Sequence, residues 1–319
     1  MQDIVIYQTK EVMTLDQCIL AWIAAKKGRS NSSKTEKAYR ETLGQFRLLL
    51  QGYKRDLDSD PGIIAPLAQG WAEQTTSTRR TEVTPATYNQ RLAILSSFYE
   101  YAIKNEVLQR NPIERVERRN PNKQYQAKQI DTKKVKTGLA AIDRSTDEGK
   151  RDYAILSIML ATGKRVSEIA NILYGDIQKQ GDTVLLSWPR CKGNKKLDPD
   201  VLKEKTTRVL YEYLHMSYGS KLGHLANDAP IWLSFSDRNK GKQIGARTIQ
   251  RICETYLGTS KAHATRHTWA VAMMNQNATL AQIGRGLGHS NLKTTSDYLE
   301  ELSAYENPYA SALEDMFGI

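Results

Sequence analysis

Residues 148–168, EGKRDYAILSIMLATGKRVSE, contain the pattern that decides the fold of the second half of the chain. Apolar residues surround most of the helix predicted at 148–161, which is typical of a helix at the centre of a domain. Gly163 is expected to end that helix, which places Arg165 at the start of the next one, three residues before Glu168. Such an arginine can bind a phosphate while the glutamate holds it in place; a solvated arginine at a helix start is the alternative.

The composition of the chain excludes several classes of protein. Of its 319 residues, 40% are hydrophobic and 25% are charged, which is typical of a globular protein and not of a disordered or collagen-like chain. A chain of this length is expected to form two domains. The longest nearly apolar stretch, residues 154–161, is far shorter than the roughly 20 residues that cross a bilayer, so no membrane association is expected.

The N-terminus and the cysteines predict where the protein works. The first residues, MQDIVIYQTKE, do not place a basic segment before an apolar run, so no secretory signal is expected. Cys18, Cys191 and Cys253 are widely separated, which favours free thiols in a reducing compartment over a disulfide framework. The sequence therefore predicts a cytoplasmic protein.

The charge balance favours a polyanionic partner. The chain has 46 Lys and Arg residues against 35 Asp and Glu residues, a formal net charge of +11, and the excess is spread over both halves. DNA or RNA is the leading candidate, because phosphates form a dense line of negative charge. Many proteins without such a partner are equally basic, so charge alone leaves both possibilities open.

The periodicity of apolar residues predicts a mainly α protein with two domains. Residues 1–118 are expected to form an all-helical first domain, and residues 119–130, which show little periodicity and many cations, to form a linker. Residues 131–300 are expected to form a mixed domain with a small β-sheet, followed by a tail at 301–319. The helices of the first domain are predicted at 14–27, 32–53, 61–71 and 84–102.

The second domain is predicted to contain helices before and after a short strand. The strand is expected at 183–188, after the turn Gln180-Gly181-Asp182, and Gly193-Asn194 is a hairpin signal between basic residues. The helices of this domain are predicted at 131–143, 148–161, from Val166 onward, and at 203–217, 246–257, 263–275, 279–287 and 291–303.

Three further clusters carry chemically useful side chains. The turn segment 190–196, RCKGNKK, has lysines that can protonate a leaving oxygen, although lysines are common in any exposed turn. His263 and Arg266 are i, i+3 neighbours that can contact one anion; a helix-capping His beside an exposed Arg is the alternative. No Cys or acidic residue accompanies His263 and His267 at ligand spacing, which excludes a zinc site there. Tyr298 is one of 16 tyrosines, and packing is its alternative role.

Four motifs together resemble the signature of one family. In order and spacing, the sequence is similar to the tyrosine recombinases, the phage-integrase family of site-specific DNA recombinases, at TGKRVSE (162–168), CKGNKK (191–196), HATRHTWA (263–270) and LGHSNLKTTSDY (287–298). This resemblance spans about residues 145–300 and implies a catalytic domain of the tyrosine-recombinase type, mixed α with a small β-sheet. The first domain also resembles the family's helical, SAM-like core-binding domain.

The resemblance implies which residues bind and activate the phosphate. Arg165 and Arg266 match the two family arginines. His263 matches the histidine three residues before the second arginine, and His289 matches the histidine after the Leu-Gly pair. Glu168 is expected to support the first arginine.

The resemblance also implies a nucleophile, a general acid and DNA contacts. Tyr298 matches the nucleophile, and Lys192 matches the hairpin lysine that protonates the leaving oxygen, a role that a neighbouring hairpin lysine could take instead. Lys164 stands where the family usually has an apolar residue, and a DNA contact is expected of it. Arg285 and Lys293 are further candidate contacts to the DNA backbone, with a solvated surface charge as the alternative.

The implied activity is site-specific DNA recombination or integration for a phage, a mobile element or a chromosome. Strands are cut and rejoined through a 3′-phosphotyrosyl intermediate without metal, ATP or another cofactor. The implied partner is nucleoid DNA with an inverted-repeat site, bound by a homotetramer with room for accessory DNA-bending factors; the tail at 301–319 would dock on a neighbouring protomer or fold back. A type IB topoisomerase-like or hairpin-forming relative and a catalytically silent DNA-binding protein stay open as alternatives.

Overall fold

The structure, a computed structural model, consists of two compact units, residues 1–124 and residues 125–319. The division falls within the segment 119–130. The residues that the structure describes are 13–30, 33–75, 82–120, 129–188, 197–259 and 261–288. Within these ranges no helix is both long enough and apolar enough to cross a membrane.

The first unit contains four helices over its described residues. A short 3₁₀ turn at Pro112–Arg115 follows the last of them. Sequence signals explain two of the helix starts, because the side chains of Asp60 and Thr84 accept hydrogen bonds from backbone N–H groups of the first turn and are each followed by proline. The four predicted helices are confirmed to within a few residues: α1 Leu15–Ser30, α2 Ser33–Gly52, α3 Pro61–Glu73 and α4 Pro85–Lys104.

Aromatic side chains form the centre of the first unit. Trp22 of α1 is completely buried and packs edge-on against Phe98 of α4, with ring centroids 5.5 Å apart. Phe46 of α2 lies 5.3 Å from Trp71 of α3. These contacts join α1 to α4 and α2 to α3, and large rings bury much apolar area per residue.

The second unit is mainly helical with a three-stranded sheet. Short 3₁₀ turns connect several of its elements. The helices and strands are α5 Thr132–Ala140, α6 Asp147–Thr162, α7 Val166–Ala170, β1 Ile177–Gln180, β2 Thr183–Leu186, β3 Asp200–Leu202, α8 Glu204–Tyr218, α9 Ala246–Leu257, α10 His263–Asn275 and α11 Leu280–Leu287. Every helix predicted between 131 and 287 is therefore present, and the helix predicted at 291–303 lies outside the described residues.

Helix α6 is central, as its apolar circumference predicts. It contacts α7, α8, α9 and α10, and the consecutive residues Ala154, Ile155 and Leu156, which point in three different directions, are all completely buried. Even its two buried charges are paired: the Arg151 guanidinium binds the Asp152 carboxylate at 2.7 Å and the Leu233 carbonyl at 3.1 Å. Because α6 touches so many neighbours, the turn at its end has a fixed place in the unit.

The sheet is antiparallel, in the order β1-β2-β3. Strands β1 and β2 form a hairpin in which Gln180 pairs with Thr183, and Gly181 has the positive φ of 59° that this turn requires. The predicted turn and the predicted strand are thus confirmed, although the strand is shorter than expected. Strands β1 and β3 were not predicted, because IQKQ lacks alternating apolar residues and β3 has only three residues.

Candidate active site

Arg165 lies at the turn between α6 and α7 and is held by Glu168. The buried Glu168 carboxylate accepts hydrogen bonds from the Arg165 backbone N–H at 2.7 Å and from its Nη1 at 2.9 Å. The arginine side chain keeps 30% of its surface exposed, whereas that of the glutamate keeps 3%. The guanidinium is therefore fixed on one side and open to an anion on the other.

Two glycines around Trp269 of α10 shape the same turn. Gly163 ends α6 with a φ of 63°, and a Cβ at this position would lie 2.5 Å from the indole ring. A Cβ on Gly286 of α11 would lie 2.4 Å from the other end of the ring. The indole N–H donates to the Ala161 carbonyl at 3.1 Å. The ring therefore fits against α6 and α11 only because both positions lack a side chain.

Arg266 of α10 is buried at the point where three elements meet. Its Nη1 donates to the Gly163 carbonyl at 3.0 Å, two residues before Arg165, and its Nη2 donates to the Leu287 carbonyl at the end of α11. Only 3% of the residue is exposed. These two carbonyls are neutral and do not cancel the charge of the guanidinium. The buried group therefore stays positively charged and can attract an anion.

His263 begins α10 and lies in the field of both arginines. Partial desolvation lowers the pKa of its imidazole below the usual value, and the charges of Arg266 and Arg165 lower this pKa further. Its ring centroid is 6.0 Å from that of His267, whose pKa burial lowers to about 4. Both imidazoles are therefore neutral near pH 7, and an exposed neutral imidazole beside two guanidiniums can accept a proton.

The placement of Lys164 differs from the DNA contact expected of it. Only 2% of the residue is exposed. Its ammonium binds the Asp200 carboxylate of β3 and the Gly286 carbonyl of α11, each at 2.7 Å, and lies 5.4 Å from the centroid of the Trp188 ring. At the α6–α7 turn Arg165 faces solvent, whereas Lys164 faces the core. To reach a phosphate, Lys164 would have to leave its internal ion pair.

Arg285 lies on the surface, as a DNA contact requires. Its Nε donates to the Asp198 carboxylate at 2.6 Å, and its side chain is 75% exposed. An exposed ion pair of this kind is worth little free energy, so a phosphate can replace the carboxylate. The other predicted site residues, Lys192, His289, Lys293 and Tyr298, lie outside the described residues, as does the predicted hairpin turn at 193–194.

The structure also shows site residues that the sequence did not indicate. Trp269 stands inside the HATRHTWA motif, which was the available signal, whereas its contact with Gly163 and Gly286 is a tertiary one. Asp200 and Trp188 gave no local signal: they approach Lys164 only because β2 and β3 pair, and the Trp188 indole N–H donates to Asp200 at 2.6 Å. Among the residues that the structure describes, no cluster of three or more His, Cys, Asp or Glu side chains could hold a metal ion.

Comparison with known proteins connects this geometry to a family. The model of the phage integrase family matches residues 128–304, more than half of the chain. Tyrosine recombinase XerC of Myxococcus xanthus is 31% identical over 233 residues, which cover 70% of this chain and 74% of that protein. XerC of Lactobacillus delbrueckii subsp. bulgaricus is 27% identical over 308 residues, covering 90% and 94%.

Solved structures share the fold. The XerH site-specific recombinase bound to palindromic difH substrate has a TM-score of 0.60 and 18% identity, covering 96% of this chain and 90% of that one. The Tn1549 transposon integrase in complex with transposon right end DNA has a TM-score of 0.65 and 16% identity, covering 95% and 99%. Fold and site together define a DNA strand-exchange enzyme of the tyrosine recombinase class. The chain belongs to the phage integrase family.

Proposed function

We propose that this protein recombines DNA at a specific site, with Tyr298 as the nucleophile that forms a 3′-phosphotyrosyl intermediate. The single observation that carries the proposal is the arrangement of Arg165, His263 and Arg266. These residues are up to 101 positions apart in the sequence. Their assignment to one site is supported by the hydrogen bond from Arg266 to the Gly163 carbonyl, two residues before Arg165, and by the pKa of His263, which desolvation and then the charges of Arg266 and Arg165 lower.

The two guanidiniums address the main difficulty of the reaction. A phosphodiester resists attack because its non-bridging oxygens are negatively charged, and further charge develops on them in the pentacoordinate transition state. Arg165, fixed by Glu168, and Arg266, fixed by carbonyls, are positively charged before substrate arrives and need little rearrangement. Such preorganised charge is the largest single contribution in many enzymes.

Proton transfers complete the proposed chemistry. The Tyr298 hydroxyl attacks the phosphorus and gives its proton to His263, whose lowered pKa keeps the imidazole neutral and able to accept it. The bond to the 5′-oxygen breaks, and Lys192 or a neighbouring hairpin lysine donates the proton that makes this oxygen a hydroxyl. The phosphate ester is conserved as a tyrosyl ester, so a 5′-hydroxyl of another strand reverses the step without ATP. His289 and the arginines hold the phosphate throughout.

The proposed substrate is double-stranded DNA with inverted-repeat arms, bound by four copies of the chain. The inverted-repeat arms are supported by XerH, which is described as bound to a palindromic substrate, and the binding of more than one copy is supported by lambda integrase, which is described as a dimer on a core site. The first domain, residues 1–118, would select the site, and Lys293 and Arg285 would contact the backbone. The same proposal places the protein in the cytoplasm, on the nucleoid, with the tail at 301–319 docked on a neighbouring protomer.

The test is covalent trapping on a nicked duplex. The bound sequence is first selected from a random DNA library, and the duplex is nicked so that the released fragment diffuses away and the tyrosyl adduct persists. The wild-type protein is expected to form a covalent adduct, Tyr298→Phe to bind equally but form none, and Tyr256→Phe, the matched control, to behave as wild type. Binding without any adduct in the wild type would indicate a silent DNA-binding protein, and an undiminished adduct in Tyr298→Phe would refute the assigned nucleophile.

A further inference from the structure

The ammonium of Lys164 lies at a junction of three segments of the second unit. It follows Gly163 at the end of α6, and it binds Asp200 at the start of β3 and the Gly286 carbonyl in the last turn of α11. Trp188, which follows β2, lies against the ammonium and donates its indole N–H to the same Asp200 carboxylate. One buried cation thus connects both strand ends to α11.

Two more contacts join the same segments. Arg285 binds Asp198 at 2.6 Å. A Cβ on Gly288 would lie 2.2 Å from Leu197 Cδ2, so this leucine packs directly on the end of α11. Residues 197–200 and 285–288 are therefore held together along their whole length, with the Lys164 pair as the only one of the three contacts in which a cation is buried.

The position of these segments in the chain gives the junction its significance. Trp188 and Leu197 stand on either side of residues 189–196, which contain Lys192, and Gly288 directly precedes His289. Lys164 itself directly precedes Arg165. The junction therefore fixes the chain next to three of the groups that the proposed function requires, Arg165, Lys192 and His289.

We propose that Lys164 is a positioning residue, which pairs with Asp200 to fix the two strand ends that flank the segment containing the general acid Lys192. This inference rests on the proposed function. The apolar residue usual at this position in the family would pack against Trp188 but would leave the partly buried Asp200 carboxylate without a cation. In this chain the lysine and the aspartate form one unit, and the expected role of Lys164 as a DNA contact is replaced by an internal one.

The experiment compares two nicked duplexes that differ in one atom. In one the scissile phosphate has the ordinary 5′-bridging oxygen, and in the other this oxygen is sulfur, which leaves as a thiolate and needs no general acid. Lys164→Met removes the ammonium and retains a long apolar stem, Asp200→Asn removes the carboxylate charge, and Lys179→Met changes an exposed lysine of β1 in the same sheet. Single-turnover cleavage, DNA binding and thermal unfolding are measured for each.

Lys164→Met and Asp200→Asn are expected to lower cleavage of the oxygen duplex on the order of 10- to 100-fold, because small displacements of a catalytic group have effects of this size. On the sulfur duplex both variants are expected to cleave within about threefold of wild type, and Lys179→Met is expected to match wild type on both. Asp200→Asn serves as the test if Lys164→Met fails to fold.

Two results would overturn the proposal. An equal loss on both duplexes would show a general structural role, and no loss on the oxygen duplex would show that the ion pair positions nothing. Failure of the proposed function is visible separately, because wild type would then form no adduct on either duplex. Lys192→Ala on the sulfur duplex reports on the general acid itself: rescue supports its assignment, and absence of rescue removes the basis of the inference.

Discussion

The two units of this protein stabilise their interiors in different ways. Among the described residues of the first unit, Asn111 is the only buried side chain that is neither aliphatic, aromatic nor cysteine, and the core consists of apolar and aromatic groups. The second unit buries many more polar and charged side chains over its described residues: Arg151, Asp152, Thr162, Lys164, Glu168, Thr207, Thr265, Arg266 and His267. The unit that holds the proposed reaction site is therefore also the unit that carries charge into its interior.

The difference teaches how the site is built. A buried charge is costly unless partners replace its water, and the charges of the second unit have such partners: Glu168 with Arg165, Lys164 with Asp200, and Arg151 with Asp152. A free energy cost of this kind is accepted where fixed charge is needed for chemistry. Over its described residues the first unit buries no charged side chain completely, and the exposed Arg119 guanidinium, for example, stacks 4.3 Å from the centroid of the Tyr88 ring.

The largest expected effect tests the apolar character of the first unit. Trp22→Ala removes a completely buried indole and is expected to lower the free energy of unfolding of this unit by about 3–5 kcal/mol. Leu48→Ala, at a position that is 68% exposed, is the control and is expected to change it by less than about 0.5 kcal/mol. Calorimetry that follows the unfolding transitions is the measurement. A shift below about 1 kcal/mol for Trp22→Ala would contradict the comparison.

The next effect tests whether the charges of the second unit serve chemistry. Arg165→Ala is expected to slow cleavage of the nicked duplex on the order of 10²-fold or more, because it removes a contact to the transition state. Arg144→Ala, which breaks the exposed pair with Glu212, is the matched control and is expected to leave the rate unchanged. The measurements are the single-turnover cleavage rate and, in parallel, the affinity of each variant for the same DNA. A loss of binding that accounts for the whole decrease would mean that Arg165 anchors DNA without acting on the reaction.

The smallest effect is the pH dependence of the second unit. Burial, then the charges of His263 and Arg266, lowers the pKa of His267 to about 4, so between about pH 6.5 and 4 the unfolded chain binds a proton that the folded chain does not. Stability due to this group is therefore present above pH 6.5 and is lost as the pH falls, at up to about 1.4 kcal/mol per pH unit. Asp152, whose pKa burial raises to about 6, acts in the opposite direction over the same range.

Comparing wild type with His267→Gln separates the contribution of His267 to the pH dependence of stability from that of Asp152. Urea unfolding at several pH values is expected to show that wild type loses stability relative to this variant between pH 6.5 and 4. His215→Gln, at an exposed position on α8, is the control. Parallel curves for His267→Gln and wild type would show that the buried imidazole is not what makes the second unit acid-sensitive.

Much of the fold could be predicted because local signals were strong. The helices of both units follow from apolar periodicity, from the caps Asp60 and Thr84 and from Gly163 at the end of α6. Strands β1 and β3 could not be found in this way, since a strand of three or four mostly exposed residues has little pattern of its own. Their existence depends on pairing with β2, which is a tertiary contact.

The candidate site, like the fold, has features that local sequence signals indicate and features that depend on tertiary contacts. From residue types and spacings alone, Arg165, His263 and Arg266 kept solvated or helix-capping alternatives, and their prediction as site residues came from the resemblance to the family. The contact between Arg165 and Glu168 follows from their i, i+3 spacing. A DNA contact was expected of Lys164. Its neighbour in sequence does face solvent, but the direction of Lys164 is set by Asp200 and Gly286, which are distant in the chain.

By itself, the sequence determined the helices, the order of the motifs and the chemical groups that the protein can use, because these depend on neighbours within one or two turns. Only the tertiary structure decided which groups share a site and which cation is buried. The physical reason is that the free energy of a charge depends on its solvent and its partners, and for Arg266 and Lys164 those partners come from other elements of the fold.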